Sequence, residues 1–175
     1  MREAVERLSR GYGRLLDALM TAASALVLAM TLLIGADVLL RNAGAGGLPW
    51  SAEVSEDIIY LVTLLSAPWL LRRGQHIRVD ILLRALPRSA AWGLEWVGDV
   101  LGLACCAYFV WYGARVAAES FSTGALSIKT LITPEWWMLA PLPAAFALLG
   151  LEFLFRMHRL AQAERGPRDD AVSAS

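Results

Sequence analysis

Three pairs of ionisable residues stand one helical turn apart in otherwise apolar sequence: Asp37 with Arg41, Glu95 with Asp99, and Glu152 with Arg156. A separation of four puts both side chains on one face of an α-helix. Ionisable groups within apolar segments are costly, and they are where ion pathways and proton relays are built. Glu95 and Asp99 together offer two carboxylates on one face, which could take up a proton or a sodium ion. Gly98 and Gly102 lie beside them in a GxxxG arrangement, and close helix packing accounts for that spacing without any transport chemistry. Only Asp99 falls deep in its apolar run, so a packing role is the simpler reading of the pair. Asp37 with Arg41 fits an interfacial pair at a helix end as well as a transport site, and Glu152 with Arg156 reads as a structural pair along one helix.

Other chemistries find little support. A haem-binding membrane subunit needs imidazoles inside its helices as axial ligands, whereas the two histidines, His76 and His158, both flank apolar stretches. Cys105 and Cys106 are adjacent in an apolar run, where they form neither a disulfide framework nor a metal-ligand spacing, and they read as small packing residues. No phosphate-binding glycine loop, HExxH motif or nucleophile elbow occurs, so neither a cofactor nor an enzymatic activity is indicated. The formal net charge of zero does not point to nucleic acid.

The elements that carry these residues are long apolar stretches. Apolar residues make up 57% of the 175-residue chain and fall in blocks, unlike the dispersed pattern of a water-soluble core. Ala18 to Ala36 contains no charged residue, is close to the length that crosses a bilayer, and is too long for the apolar core of a signal peptide. It is expected to remain as a membrane helix. Three further stretches complete an all-α membrane protein of four transmembrane helices, with spans at about 17–40, 52–72, 91–114 and 135–156. The second span carries Glu53, Glu56 and Asp57 in its first turns, at the positive end of the helix dipole. Pro68 is placed to kink that helix. Thr133, Pro134 and Glu135 read as an N-cap, a first-turn proline and a dipole-matched acid opening the fourth.

Basic residues set the orientation. Thirteen of the sixteen lie before the first span, between the second and third, or after the fourth; only Arg41, Arg115 and Lys129 lie in the other two connections. Because loops rich in Lys and Arg stay in the cytoplasm, both termini are expected inside. Trp50, Trp111, Trp136 and Trp137 then mark outer ends and Trp69, Trp92 and Trp96 inner ends, as interfacial belts do. Gln75 to Arg88 alternates basic and aliphatic residues and reads as a short interfacial segment between helices 2 and 3. Residues 161–175 read as a disordered cytoplasmic tail. No internal repeat of the kind that builds inverted-repeat transporters is present.

Taken in order, Asp37 and Arg41 close the first helix, Trp50-Ser51-Ala52-Glu53 opens the second, His76-Ile77-Arg78-Val79-Asp80 follows it with Pro87 beyond, and Pro134 with Trp136 opens the fourth. This series, over roughly residues 15 to 158, resembles the DctQ-like small membrane subunit of TRAP transporters. The resemblance implies a tripartite, ATP-independent system of the bacterial inner membrane. In it a periplasmic substrate-binding protein captures an organic acid, and a large membrane subunit couples its movement to a cation, sodium by analogy. A chain of this kind would be part of the static scaffold in the lipid bilayer, and the motif residues become interface candidates. For Trp50 and Glu53 the choice lies between helix anchoring and contact with the large subunit or the docked binding protein. Two other classes share the topology: an autonomous small exporter using Asp99 or Glu95 as coupling carboxylate, and a structural subunit of an unrelated membrane complex.

The orientation can be read with reporter fusions. A cytoplasm-dependent reporter after Ser175 and a periplasm-dependent one near Gly124 should both be active; activity of the opposite pair would reverse the assignment.

Overall fold

The computed structural model describes residues 2–73 and 87–162. Among the described residues, five helices and one β-hairpin follow in chain order: α1 (Arg2–Asn42), α2 (Ser51–Arg72), α3 (Arg88–Thr123), β1 (Leu126–Ile128), β2 (Ile132–Pro134), α4 (Trp136–Leu139) and α5 (Pro141–Gln162). Four of the described stretches are long and apolar enough to cross a membrane: Ser9–Asn42, Ser51–Arg72, Ala90–Thr123 and Trp136–Ala161. The fold is thus the expected four-span helical one, with a two-stranded sheet added.

The helices form an open row rather than a closed ring. α2 packs between α1 and α5, and α5 packs in turn on α3. The α3–α5 seam is antiparallel: moving along α3, Asp99 meets Arg156, Gly102 meets Phe153, Cys106 meets Gly150, Phe109 stacks on Phe146 and Gly113 meets Leu142. The buried residues Ala91, Glu95, Asp99, Cys106 and Ser120 follow one stripe of α3 at spacings of four, four, seven and twice seven, the period of two helices crossing at a shallow angle. Leu71 of α2 joins Cys106 and Leu149 in the apolar core where the three helices meet. Cys106 is a buried packing residue, while Cys105 is exposed.

Two helices are longer than uncharged-run lengths suggest. α1 has 41 residues and so extends over about 60 Å, roughly twice the thickness of the hydrocarbon layer. Its N-terminal portion stays helical because Tyr12, Leu16 and Ala23 continue one apolar stripe through a segment that also bears Arg10 and Arg14. α3 runs on past Ala114 to Thr123, where Gly124 adopts the left-handed conformation (φ 63°) that closes a helix without a Cβ clash. Outward faces of these helices carry exposed Leu28, Leu32, Leu39 and Trp111, a distribution that suits lipid or another membrane protein and not water.

The capping of the fourth span differs from the sequence expectation, although the span opens at Trp136, close to the expected position. Thr133 caps nothing, since it and Pro134 lie in β2, paired with Ser127 and Leu126 of β1. The helix opens at Trp136 as the single turn of α4 and restarts at Pro141. Pro141 and Pro143 supply no amide hydrogens to this region, so the turn-to-turn hydrogen bonding that would join α4 to α5 is incomplete. Pro68 lies inside α2 and is fully buried. The proposed interfacial segment with His76 and Asp80, and nearly all of the tail, lie outside the described residues.

Close approach on the seam is asymmetric within the GxxxG pair. A Cβ on Gly102 would overlap the Phe153 ring, whereas one on Gly98 meets nothing within 4 Å. Gly102→Ala is expected to cost about 1–3 kcal/mol by overpacking and Gly98→Ala almost nothing. Thermal unfolding in detergent checks this, and equal melting temperatures for the two variants would contradict a glycine-dependent seam.

Candidate functional site

Polar residues gather at the two ends of the bundle. At the end where α1 begins and α5 finishes, Glu152 is fully buried and accepts from two arginines, Arg159 Nη2 at 2.6 Å and Arg72 Nη1 at 3.4 Å. Arg72 also donates through Nη2 to the Ser9 carbonyl (2.8 Å) and hydroxyl (3.2 Å), passing over Gly13 and the Tyr12 ring. The Tyr12 hydroxyl donates to the Leu148 carbonyl at 2.8 Å. One guanidinium therefore ties α1, α2 and α5 together. Trp69 Nε1 adds a bond to Asp17 Oδ1 at 2.9 Å, and Arg73 lies over the Trp69 ring.

Arg156 faces α3, where its Nη2 meets the buried Asp99 Oδ1 at 2.9 Å. Glu152 and Arg156, read from sequence as a pair, thus take different partners: Glu152 takes Arg159 of its own helix and Arg72 of α2, and Arg156 takes Asp99 of α3. α5 presents Glu152 toward α2 and Arg156 toward α3, so each of these buried charges gains a partner from the facing helix. Sequence spacing could reveal neither, since Arg72 lies 80 residues from Glu152. Glu95 is buried on the same face of α3 as Asp99. The two acids do share one face, but Asp99 is engaged by an arginine.

At the opposite end the family-like residues come together. Asp37 is buried at the end of α1; its Oδ1 accepts the Leu48 amide (2.5 Å) and its Oδ2 the Arg41 guanidinium (3.0 Å). Gly47 lies so close that a Cβ there would meet Asp37 and Arg41 at 2.6 and 2.5 Å. Asp37 therefore sets the connection that delivers Trp50 and Ser51 to the start of α2. Trp50 is half-buried at the helix-capping position and supplies no side-chain cap. Glu53 reaches across to the hairpin turn and accepts the amides of Thr130 (2.8 Å) and Leu131 (3.1 Å). Glu56 pairs with Lys129 at 3.4 Å, and Ser120 donates to Glu135 Oε2 at 3.2 Å. Trp136 stands edge-on to Phe121 and Trp137. An open cleft of about 360 Å³ remains between α2 and the hairpin, edged by Glu56, Asp57, Tyr60, Lys129 and Glu135.

Among the named candidates, Asp37 with Arg41, and Glu53 with the segment leading to Pro134 and Trp136, meet at this end, while His76 and Asp80 lie outside the described residues. Sequence reasoning missed the hairpin partner of Glu53; the apolar alternation of Leu126, Ile128, Leu131 and Ile132 around Lys129 and Thr130 was the available signal. No group of three or more metal-ligating side chains occurs among the described residues.

Four spans with outward apolar faces define a multi-pass helical membrane protein. Residues 30–163 match the model of a family described as tripartite ATP-independent periplasmic transporters, DctQ component. The chain is also 23% identical over 145 residues to the ectoine TRAP transporter small permease protein TeaB of Halomonas elongata, covering 80% of this chain and 75% of that protein. This protein belongs to the DctQ family, the small permease component of TRAP transporters, which is a transporter family and not an enzyme family.

The Glu53 clasp is testable by amide exchange. Glu53→Ala should accelerate exchange at Thr130 and Leu131 by about tenfold, because both amides lose a charged acceptor, and Glu53→Gln should have a smaller effect. Unchanged rates would mean that the turn holds itself.

Proposed function

We propose that this protein scaffolds the large membrane subunit of a TRAP transporter in the bacterial inner membrane, with both termini cytoplasmic. The transporter takes up an organic acid delivered by a periplasmic binding protein and couples uptake to a cation, sodium by the family analogy. The observation that carries this reading is the engagement of three of the bundle's buried carboxylates by arginines. Asp37, Asp99 and Glu152 each hold an arginine within the chain, and Glu152, the most buried of the three, holds two. A carboxylate that must take up and release a cation needs a state in which it is free to do so, and a close arginine competes for that role. Broad apolar faces on α1 and α3 suit a permanent membrane partner. The basic-residue distribution supports the orientation.

The hairpin end is the proposed contact region for the partner proteins, with Trp50 and Glu53 at its centre and Asp37, Arg41, Pro134 and Trp136 holding its shape. His76 and Asp80 are proposed to serve the opposite, cytoplasmic side.

Co-purification and uptake by the complete transporter in reconstituted vesicles test these roles together. Glu95→Gln and Asp99→Asn should leave sodium-driven uptake measurable, and its complete loss in a normally assembled complex would make one of them a coupling site. Trp50→Ala with Glu53→Gln should reduce co-purification or uptake while the subunit still inserts; wild-type behaviour of that double variant would restrict both residues to anchoring.

A further inference from the structure

The β1–β2 hairpin is inside out for a protein in water. Its register sets Leu126 opposite Pro134, Ser127 opposite Thr133 and Ile128 opposite Ile132. Side chains alternate across a strand, so Leu126, Ile128 and Ile132 share one face while Ser127 and Thr133 share the other. The polar face is the half-buried one: Ser127 borders the cleft of Glu56 and Lys129. The apolar face points away from the protein, leaving Ile128 82% and Ile132 67% exposed. This orientation is held from behind, because Glu53 takes the two turn amides and the Glu135 amide donates to the Ala125 carbonyl at the hairpin base.

The surroundings indicate what covers that face. At its foot stand the exposed Phe121, the last large apolar residue of α3, and the half-exposed Trp137 of α4, linked through Trp136. Tryptophans at the end of a span mark the headgroup level of a bilayer. The hairpin therefore leaves directly from the end of a membrane-spanning helix, at the level that its tryptophans mark. The apolar face of the hairpin offers no side-chain donor or acceptor to a protein surface.

We propose that this hairpin is an interfacial membrane anchor, with Leu126, Ile128 and Ile132 resting on the acyl chains just below the headgroups of one leaflet. It lies no deeper, because a two-stranded sheet has two open edges whose amides and carbonyls need water or headgroups. Lys129, at the turn, stays with Glu56 on the polar side. The anchor has a mechanical consequence for α3, whose 36 residues extend over about 54 Å. With its hairpin end held at the interface, the surplus length must be taken up by tilt or by projection at the other end.

The test uses the full chain carrying Cys105→Ala and Cys106→Ala, with a fluorophore at Ile128→Cys, at Ile132→Cys or, on the opposite face, at Ser127→Cys, reconstituted in phospholipid vesicles. Labels at 128 and 132 should be quenched several-fold more strongly by lipids with a shallow nitroxide than by those with a deep one, and should resist aqueous iodide. The label at 127 should show the reverse preference for iodide. Equal iodide quenching on both faces would overturn the anchor, as would a deep-nitroxide preference. Two apolar positions are labelled so that a local disturbance at one is recognised from the other. A photo-crosslinker at 128 in native membranes should capture phospholipid; capture of a protein instead would replace lipid by a protein partner and refute the proposal.

Discussion

Arg72 is the point on which the packing of three helices depends. Its guanidinium reaches Ser9 on α1 and Glu152 on α5 from the last turn of α2. Glu152 has no exposed surface, and a buried carboxylate survives as an anion only when its lone pairs are matched by well-placed donors. Arg159 provides the shorter of its two contacts, from the same helix, while Arg72 provides the one that crosses between helices. Breaking such a buried pair by removing one partner typically costs about 3–5 kcal/mol, a large fraction of the stability of a domain. The association of apolar helices in lipid lacks the hydrophobic drive that packs a soluble core, so these polar ties and close glycine contacts carry a larger share of the specificity.

The two ends of the bundle use charge differently. At the terminal end the carboxylates are buried and face arginines from neighbouring helices, which makes the end a rigid clamp. At the hairpin end Glu53 and Asp37 accept backbone amides, and the charges shape connections rather than helix faces. Such contacts position loops, and loops held on a rigid frame are where binding surfaces are commonly built. The scaffold reading and the contact role proposed for Trp50 and Glu53 follow this division: one end keeps the helices together and the other presents a shaped surface.

Several elements were legible in the chain because their signals are local. Span number and the start of α2 follow from uncharged length and from acids at a helix N-terminus, and the four-residue spacing of Asp37 and Arg41 correctly indicated a pair. Uncharged length marks the apolar centres of α1 and α3 but not where these helices end, since amphipathic turns continue a helix after the continuous apolar run has ended. Thr133-Pro134-Glu135 has the residue types of a helix start, yet strand pairing with Leu126 and Ser127 claims the first two for a hairpin. Local capping preference is weak beside a cross-strand ladder that the turn and Glu53 hold in register.

By itself the sequence determined what the solvent demands: four apolar stretches of bilayer length, the uneven basic residues around them, and the motif series that marks the DctQ family. These depend on the transfer of each segment from water to lipid, which is a property of composition along the chain. Only the tertiary structure decided which charge meets which. Glu152 has a potential partner four residues away in Arg156, but α5 turns the two toward different neighbours, so Glu152 meets Arg72 and Arg156 meets Asp99. The same holds for the hairpin, whose apolar face points outward because carboxylates on α2 hold its turn from behind. Pairings across 57 or 80 residues are set by the packing of helix faces, and no periodicity within one helix encodes them.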